Sequence, residues 1–255
     1  MSQLPEDFLR RPIAHRALHD VADGRPENSR AAIAAAIEAG YGIEIDLQLS
    51  RDGRAMVFHD YDLGRLTGDR GPIRQREAAE LAQIGLLGGH EGVPSFAEVL
   101  ELVDGRAPLL VELKDQHGQM GKTDDALEQA AAADLAGYNG PLALMSFNPN
   151  MVGRMAELAP AWPRGIVTCG YEAEDWPLLK EATRDHLRDI PDYDDAGCSF
   201  ISHHATDLGR DRVAELKAGG AAVLCWTIRS PEAEAEARKV AQNITFEGYL
   251  AAIPA

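Results

Sequence analysis

The sequence predicts an α/β protein folded as a closed (β/α)8 (TIM) barrel, and three observations carry that reading. Eight short apolar runs, at residues 12–15, 42–48, 109–113, 142–145, 164–168, 198–202, 222–226 and 243–246, are separated mostly by helix-forming segments. Strand and helix in alternation build a parallel sheet with helices packed over it. The chain has 255 residues, a usual length for one such barrel. Several of the runs end in ionisable residues, where a barrel displays its chemistry. An open doubly wound sheet is the runner-up. It calls for a GxGxxG phosphate loop after the first strand, and none is present there. We read residues 1–255 as a single domain, with a small inserted segment after the second core strand at about residues 61–94.

Taken in order, a polar leader precedes Ile13-Ala14, a short strand that ends in His15-Arg16. Asn28 or Ser29 can cap a helix rich in alanine, with Ile33 and Ile37 on one face and Gly40 as its stop. In the second strand Ile43, Ile45, Leu47 and Leu49 alternate with Glu44, Asp46 and Gln48. Period two places Glu44 and Asp46 on the same face, about 6.6 Å apart. Asp52-Gly53 signals a tight turn, and residues 55–58 return as an extended piece ending in His59-Asp60. The glycine-rich excursion that follows holds a short helix near 77–84. Ser95 and Glu98 have the spacing of a capping box for a helix through Val103. The third core strand ends in Glu112-Leu113-Lys114. Helices are then expected from Thr123 or Asp124 to about Leu135, and over about 149–158, 174–188, 209–218 and 231–240; residues 189–195 read as an acid-rich loop.

Composition narrows the function. The formal charge is −16, from 41 acidic and 25 basic residues. That argues against a nucleic-acid binder or a protein bound to an anionic membrane, since no basic track exists to hold a polyanion. Cys169, Cys198 and Cys225 lie far apart within apolar runs and read as reduced core thiols. No segment has the uninterrupted apolar length of a membrane span, and the N-terminus has no stretch fit for a signal peptide. A cytoplasmic enzyme without stable membrane insertion is expected.

The residues at the strand ends suggest the chemistry. Glu44, Asp46 and Glu112 form an oxygen-rich cup suited to one hard divalent cation, magnesium or calcium, which would offset their mutual repulsion. Arg16 and Lys114, at the same rim, suit an anionic oxygen, above all of a phosphate. His15 and His59 can give and take protons near neutrality, as phosphodiester cleavage requires. Each piece also has a plainer reading: a strand-end histidine as a structural hydrogen-bonding group, Glu44 with Asp46 as a solvated strand face, Arg16 as a partner to either acid, Trp226 as core. The joint placement favours the site. His203 and His204 read as packing or loop residues.

These motifs, in this order, resemble the glycerophosphodiester phosphodiesterase family. The resemblance rests on His15-Arg16, Glu27-Asn28-Ser29, Glu44-Ile45-Asp46, Asp52-Gly53, His59-Asp60, Leu63-Gly64-Arg65-Leu66-Thr67 and Glu112-Leu113-Lys114, with Ser146-Phe147 and Trp226-Thr227 later, and covers nearly the whole chain. It implies a barrel that cleaves glycerophosphodiesters to glycerol 3-phosphate and an alcohol. It implies His15 and His59 as the acid–base pair, Glu44, Asp46 and Glu112 as metal ligands, Arg16 and Lys114 as phosphate contacts, and Trp226 as a pocket wall. His15 is assigned as base and His59 as acid, the reverse remaining open, as does the choice between a cyclic intermediate and direct attack by water. Two positions depart from the family pattern. Ala17 stands where the family has glycine, at a cost of about 1 kcal/mol if that site needs positive φ. Ile244-Thr245-Phe246-Glu247 stands where the family usually has Ile-Thr-Asp, which weakens the eighth-strand expectation. The alternatives are a lysophospholipid or sphingolipid phosphodiesterase of a related barrel, and a non-catalytic glycerophosphate-binding barrel.

Overall fold

The computed structural model describes residues 3–254. Met1 and Ser2 of the polar leader, and Ala255 at the end of the tail, lie outside them. The strands are β1 (Ile13–Ala14), β2 (Gly42–Leu49), β3 (Ala55–Val57), β4 (Leu109–Leu113), β5 (Leu142–Ser146), β6 (Arg164–Thr168), β7 (Phe200–His204), β8 (Ala222–Ile228) and β9 (Asn243–Phe246). The helices are α1 (Asp7–Arg10), α2 (Arg30–Ala39), α3 (Ala78–Leu81), α4 (Phe96–Val103), α5 (Ala126–Asp134), α6 (Pro149–Leu158), α7 (Glu181–Asp189), α8 (Asp211–Ala218) and α9 (Pro231–Ala237).

The sheet has nine strands in the order β1-β9-β8-β7-β6-β5-β4-β2-β3, and β1 also pairs with β2. That last pairing closes the sheet. Only β3 runs antiparallel, on the edge of β2, so eight parallel strands form the barrel. The eighth, weakened in the sequence by the Phe246-Glu247 departure, is present and pairs with both neighbours.

Strand alternation divides the side chains between two cores. Ile43, Ile45 and Leu47 of β2 and Leu109, Val111 and Leu113 of β4 pack outward among the helices. Their alternates point into the barrel. The lower interior is apolar, built from Phe8, Ile13, Leu110, Ala143, Met145, Val167, Phe200 and Leu224. Gly165 on β6 is there for space: a Cβ would lie 2.5 Å from the Phe200 ring. The upper interior is polar, with Glu44, Asp46, Glu112, Ser202 and Thr245 all buried. The apolar floor and the ionisable upper layer therefore come from the same period-two pattern.

The leader is more than a polar tail. Its α1 places Phe8, fully buried, under the barrel, and Asn243 on β9 donates to the Phe8 and Arg11 carbonyls at 2.7 and 2.6 Å. The helix at 30–39 takes Ser29 as its cap and Gly40, at φ +80°, as its stop. The capping box of Ser95 and Glu98 forms as expected. The expected helix over 174–188 is shorter and later, at Glu181–Asp189, because residues 170–180 follow an aromatic cluster instead. Strand β7 starts at Phe200 and runs on to His204, two residues past the apolar run at 198–202, so His203 and His204 are strand residues. The excursion after β3 packs Met56, Phe58, Leu63, Leu66, Ile73, Leu81, Leu86 and Val93 into a cluster of its own. The three cysteines are buried and free, and burial pushes their thiols up to about 11 at Cys169 and about 12 at Cys198 and Cys225. No helix of the described residues is long and apolar enough to cross a membrane.

Phe8→Ala should destabilise the protein by about 3–5 kcal/mol, the usual cost of emptying a buried phenylalanine site. Urea unfolding should show a lower midpoint with the slope unchanged. A shift of only a few tenths of a kcal/mol would mean that α1 is not part of the barrel core.

Candidate active site

The register of β2 against β4 sets Asp46 beside Glu112, and Glu44 lies one inward position below Asp46. Carboxylate oxygens of the three lie within 4.8 Å of one another, all buried. Lys114 enters this cluster from just beyond β4. Its Nζ lies 2.7 Å from both Asp46 Oδ1 and Glu112 Oε1. Burial would lower the lysine, but Asp46 and Glu112 outweigh it and hold the ammonium above its usual range. Asp46 answers in kind: burial acts to raise it, and Lys114, His59 and Arg16 hold it well below the ordinary carboxylate range. Glu44 goes the other way. Burial first, then the charges of Asp46 and Glu112, push it well up. Its Oε1 is buried without a hydrogen-bond partner. Two cations therefore serve three carboxylates, and an oxygen ligand is left over. That donor set fits a hard divalent cation.

The turn after β1 brings Arg16 to the same cluster. Arg16 and Ala17 both adopt left-handed backbone, at φ +53° and +67°. The turn aims the Arg16 backbone N–H at Glu44 Oε2, 2.8 Å away, while the Ala17 N–H donates to the Glu44 carbonyl at 2.9 Å. Ala17 thus carries the strain its sequence position predicts, about 1–2 kcal/mol for a left-handed alanine. Its methyl is buried against the outer core, which returns about 0.8 kcal/mol. Asn28, also left-handed at φ +58°, is not the helix cap. Its side chain donates to Asp46 Oδ2 at 2.9 Å and accepts from the Asp46 N–H at 3.2 Å. In the sequence Asn28 is a candidate cap and part of the Glu27-Asn28-Ser29 motif, with no role toward Asp46. Its adjacency to a capping serine was the available signal.

Both histidines are held the same way. His15 Nδ1 lies 2.5 Å from Glu247 Oε2, and His59 Nδ1 lies 2.7 Å from Asp60 Oδ1. In each ring the other nitrogen, Nε2, is left for chemistry. Glu247, which in the sequence is only part of a departure from the family pattern, is also paired with Arg229 at 2.7 Å. The His15 bond, then the one from His19, holds its carboxyl below the ordinary range. The Gln48 amide donates to the His59 carbonyl at 3.0 Å, fixing that turn. Arg65, from the excursion, forks onto Asp60 at 2.6 and 2.8 Å and onto Glu27 at 2.8 and 2.9 Å. Glu27 in turn accepts from Arg16 at 2.7 Å. An unbroken run of charge pairs thus joins His59 to the carboxylate cluster.

The eight residues singled out from the sequence come together. His15, Arg16, Glu44, His59, Glu112, Lys114 and Trp226 line one cavity of about 170 Å³, and Asp46 lies beneath it against Lys114. Met145, Phe147, Val167, Ser202, Thr227, Arg229 and Thr245 complete its wall. Trp226 donates to the Ser202 carbonyl at 3.0 Å and packs edge-on against Phe147 and His204. His203 is fully buried and bonded to Thr168 at 2.7 Å, a packing residue as expected.

The chain is similar over most of its length to known proteins of one kind. The model of the glycerophosphoryl diester phosphodiesterase family matches residues 15–244. A glycerophosphodiester phosphodiesterase of Caldanaerobacter subterraneus subsp. tengcongensis is 30% identical over 178 residues, 65% of this chain and 70% of that protein. A phosphodiesterase of Oleispira antarctica, solved in complex with the product sn-glycerol-3-phosphate, superposes with a TM-score of 0.76 at 25% identity, over 94% of this chain and 93% of that one. A glycerophosphodiester phosphodiesterase of Thermotoga maritima shares the fold, with a TM-score of 0.68 at 20% identity over 92% of each chain.

The electrostatics around His15 make a prediction independent of activity. Burial, the largest influence, lowers its pKa, and Arg16 adds to this; Glu247 acts in the opposite sense. His15 should therefore titrate below 6.5, and Glu247→Gln should lower it further. NMR titration of the imidazole protons checks both; an upward move in the variant would show that Glu247 does not face this ring.

Proposed function

The chain belongs to the glycerophosphoryl diester phosphodiesterase family, and from that premise we propose a metal-dependent hydrolysis of glycerophosphodiesters to glycerol 3-phosphate and an alcohol. The observation that carries the reading is the pair of carboxylate-anchored imidazoles beside a buried carboxylate cluster with two cations. Glu44, Asp46 and Glu112 would hold one divalent cation, magnesium or calcium, whose chemistry when bound is to draw charge from a phosphoryl oxygen.

The chain's own residues do the rest. Arg16 and Lys114 present N–H groups to the phosphate anion. They are already held over the cup by Glu27, Asp46 and Glu112, so little ordering is needed when substrate enters. His15 Nε2 takes the proton from the attacking oxygen. Burial lowers its pKa, which favours the neutral form a base requires. His59 Nε2, with Asp60 stabilising the imidazolium, gives a proton to the departing alcohol. Burial would raise Asp60, but the bonds from His59 and Arg65 outweigh it and keep the carboxylate charged. Trp226 and Phe147 wall the pocket and limit water around the phosphate.

The test is release of glycerol 3-phosphate by metal-stripped protein from a panel of glycerophosphodiesters, with magnesium, calcium or neither. Turnover should need the metal, and His15→Ala and His59→Ala should each lower kcat by about 10²- to 10⁴-fold. Full activity in either variant removes that histidine from the acid–base pair. A folded protein that binds the diesters with metal present and does not cleave them would instead be a binding barrel.

A further inference from the structure

Two hydroxyls in the cavity wall have no role in the chemistry above and no partner in the fold. Ser202 on β7 and Thr245 on β9 are each 1% exposed. Both line the cavity, and the side-chain oxygens Ser202 Oγ and Thr245 Oγ1 are buried without a hydrogen-bond partner. Strand alternation explains their direction. Phe200, two residues before Ser202, belongs to the barrel interior, and Ile201 packs outward. On β9, Ile244 and Phe246 pack outward among the helices, which turns Thr245 inward. A buried hydroxyl without a partner is unfavourable, and such groups are rare in folded proteins. Two of them facing one cavity indicate that their partner is what fills it.

Their neighbours limit what that partner can be. Three cations, Arg16, Lys114 and Arg229, line the same cavity, and Arg229 is already paired with Glu247. Met145 and Val167 supply apolar surface beside the hydroxyls. The wall therefore offers cations to an anionic group, apolar surface to a short carbon chain and unpartnered hydroxyls to the hydroxyl groups of a small molecule. We infer that Ser202 and Thr245 form a polyol subsite that holds the glycerol hydroxyls of the substrate, so that the glycerol half enters the barrel and the alcohol to be released stays at the mouth. This rests on the glycerophosphodiester reading of the site for its ligand, and names the groups that would select glycerol. A site whose buried hydroxyls match those of its ligand discriminates against an analogue lacking one, because the protein group is then left unpaired.

Binding tests this without requiring turnover. Calorimetry on the metal-loaded protein would compare sn-glycerol 3-phosphate, the phosphate monoester of propane-1,2-diol that lacks the terminal hydroxyl, and inorganic phosphate. Wild type should prefer glycerol 3-phosphate to the deoxy analogue by about 10- to 100-fold, the scale of one unsatisfied buried hydrogen bond. Thr245→Val and Ser202→Ala, and above all the double variant, should lose that preference while Kd for inorganic phosphate stays the same. Thr245→Ser should keep it. Tm should not fall in Thr245→Val, since no bond within the fold is lost. Retention of the wild-type preference in the double variant would overturn the inference, as would an equal loss of affinity for all three ligands. Wild type that shows the preference but cleaves no glycerophosphodiester would support the subsite while ending the hydrolase reading.

Discussion

Three carboxylates held within a few ångströms inside a protein are the constraint around which this molecule is built. Glu44, Asp46 and Glu112 repel one another and have lost most of their water. In that setting charge must be neutralised close by. Lys114 sits between two of them, Arg16 approaches Asp46 at 3.7 Å, and Asn28 spends both ends of its amide on Asp46. The left-handed turn at Arg16 and Ala17 delivers a backbone N–H to Glu44. These groups neutralise Asp46 and Glu112 better than Glu44, whose raised pKa and unpartnered oxygen mark the remaining imbalance.

Neutralisation extends outward in a way that ties distant segments to the centre. Arg16 needs Glu27, Glu27 is shared with Arg65, and Arg65 reaches Asp60 beneath His59. The excursion after β3 thus reaches the centre through this arginine, and it is held to the barrel by its apolar cluster beside Met56 and Phe58 and by ion pairs such as Arg30–Glu91 and Arg74–Asp124. On the opposite side Glu247 and Arg229 make a shorter arrangement around His15. The two histidines are alike in being anchored through Nδ1, and unlike in what anchors them.

Function here costs local stability. Ala17 accepts a backbone region that alanine avoids, and Ser202 and Thr245 bury hydroxyls that nothing in the fold satisfies. Strain and unsatisfied groups of this kind gather where a ligand is handled. The apolar floor compensates, with Phe8 below and Phe200 fitted over Gly165.

Period and spacing in the sequence alone determined the class of fold, the strand-by-strand order and the face on which Glu44 and Asp46 lie, because side-chain direction in a strand alternates locally. The ordered motifs likewise identified the eight residues of the proposed site. What the tertiary structure decided is how these groups are partnered. That Asn28 turns to Asp46 rather than capping its helix, that Glu247 holds His15 across 232 residues, and that the leader's Phe8 closes the barrel all depend on strands β1, β2 and β9 meeting at the closure of the sheet. The same holds for which hydroxyls face the cavity without partners. Hydrogen bonds and ion pairs act over about 3 Å, and only closure of the barrel brings its two ends of the chain within that range.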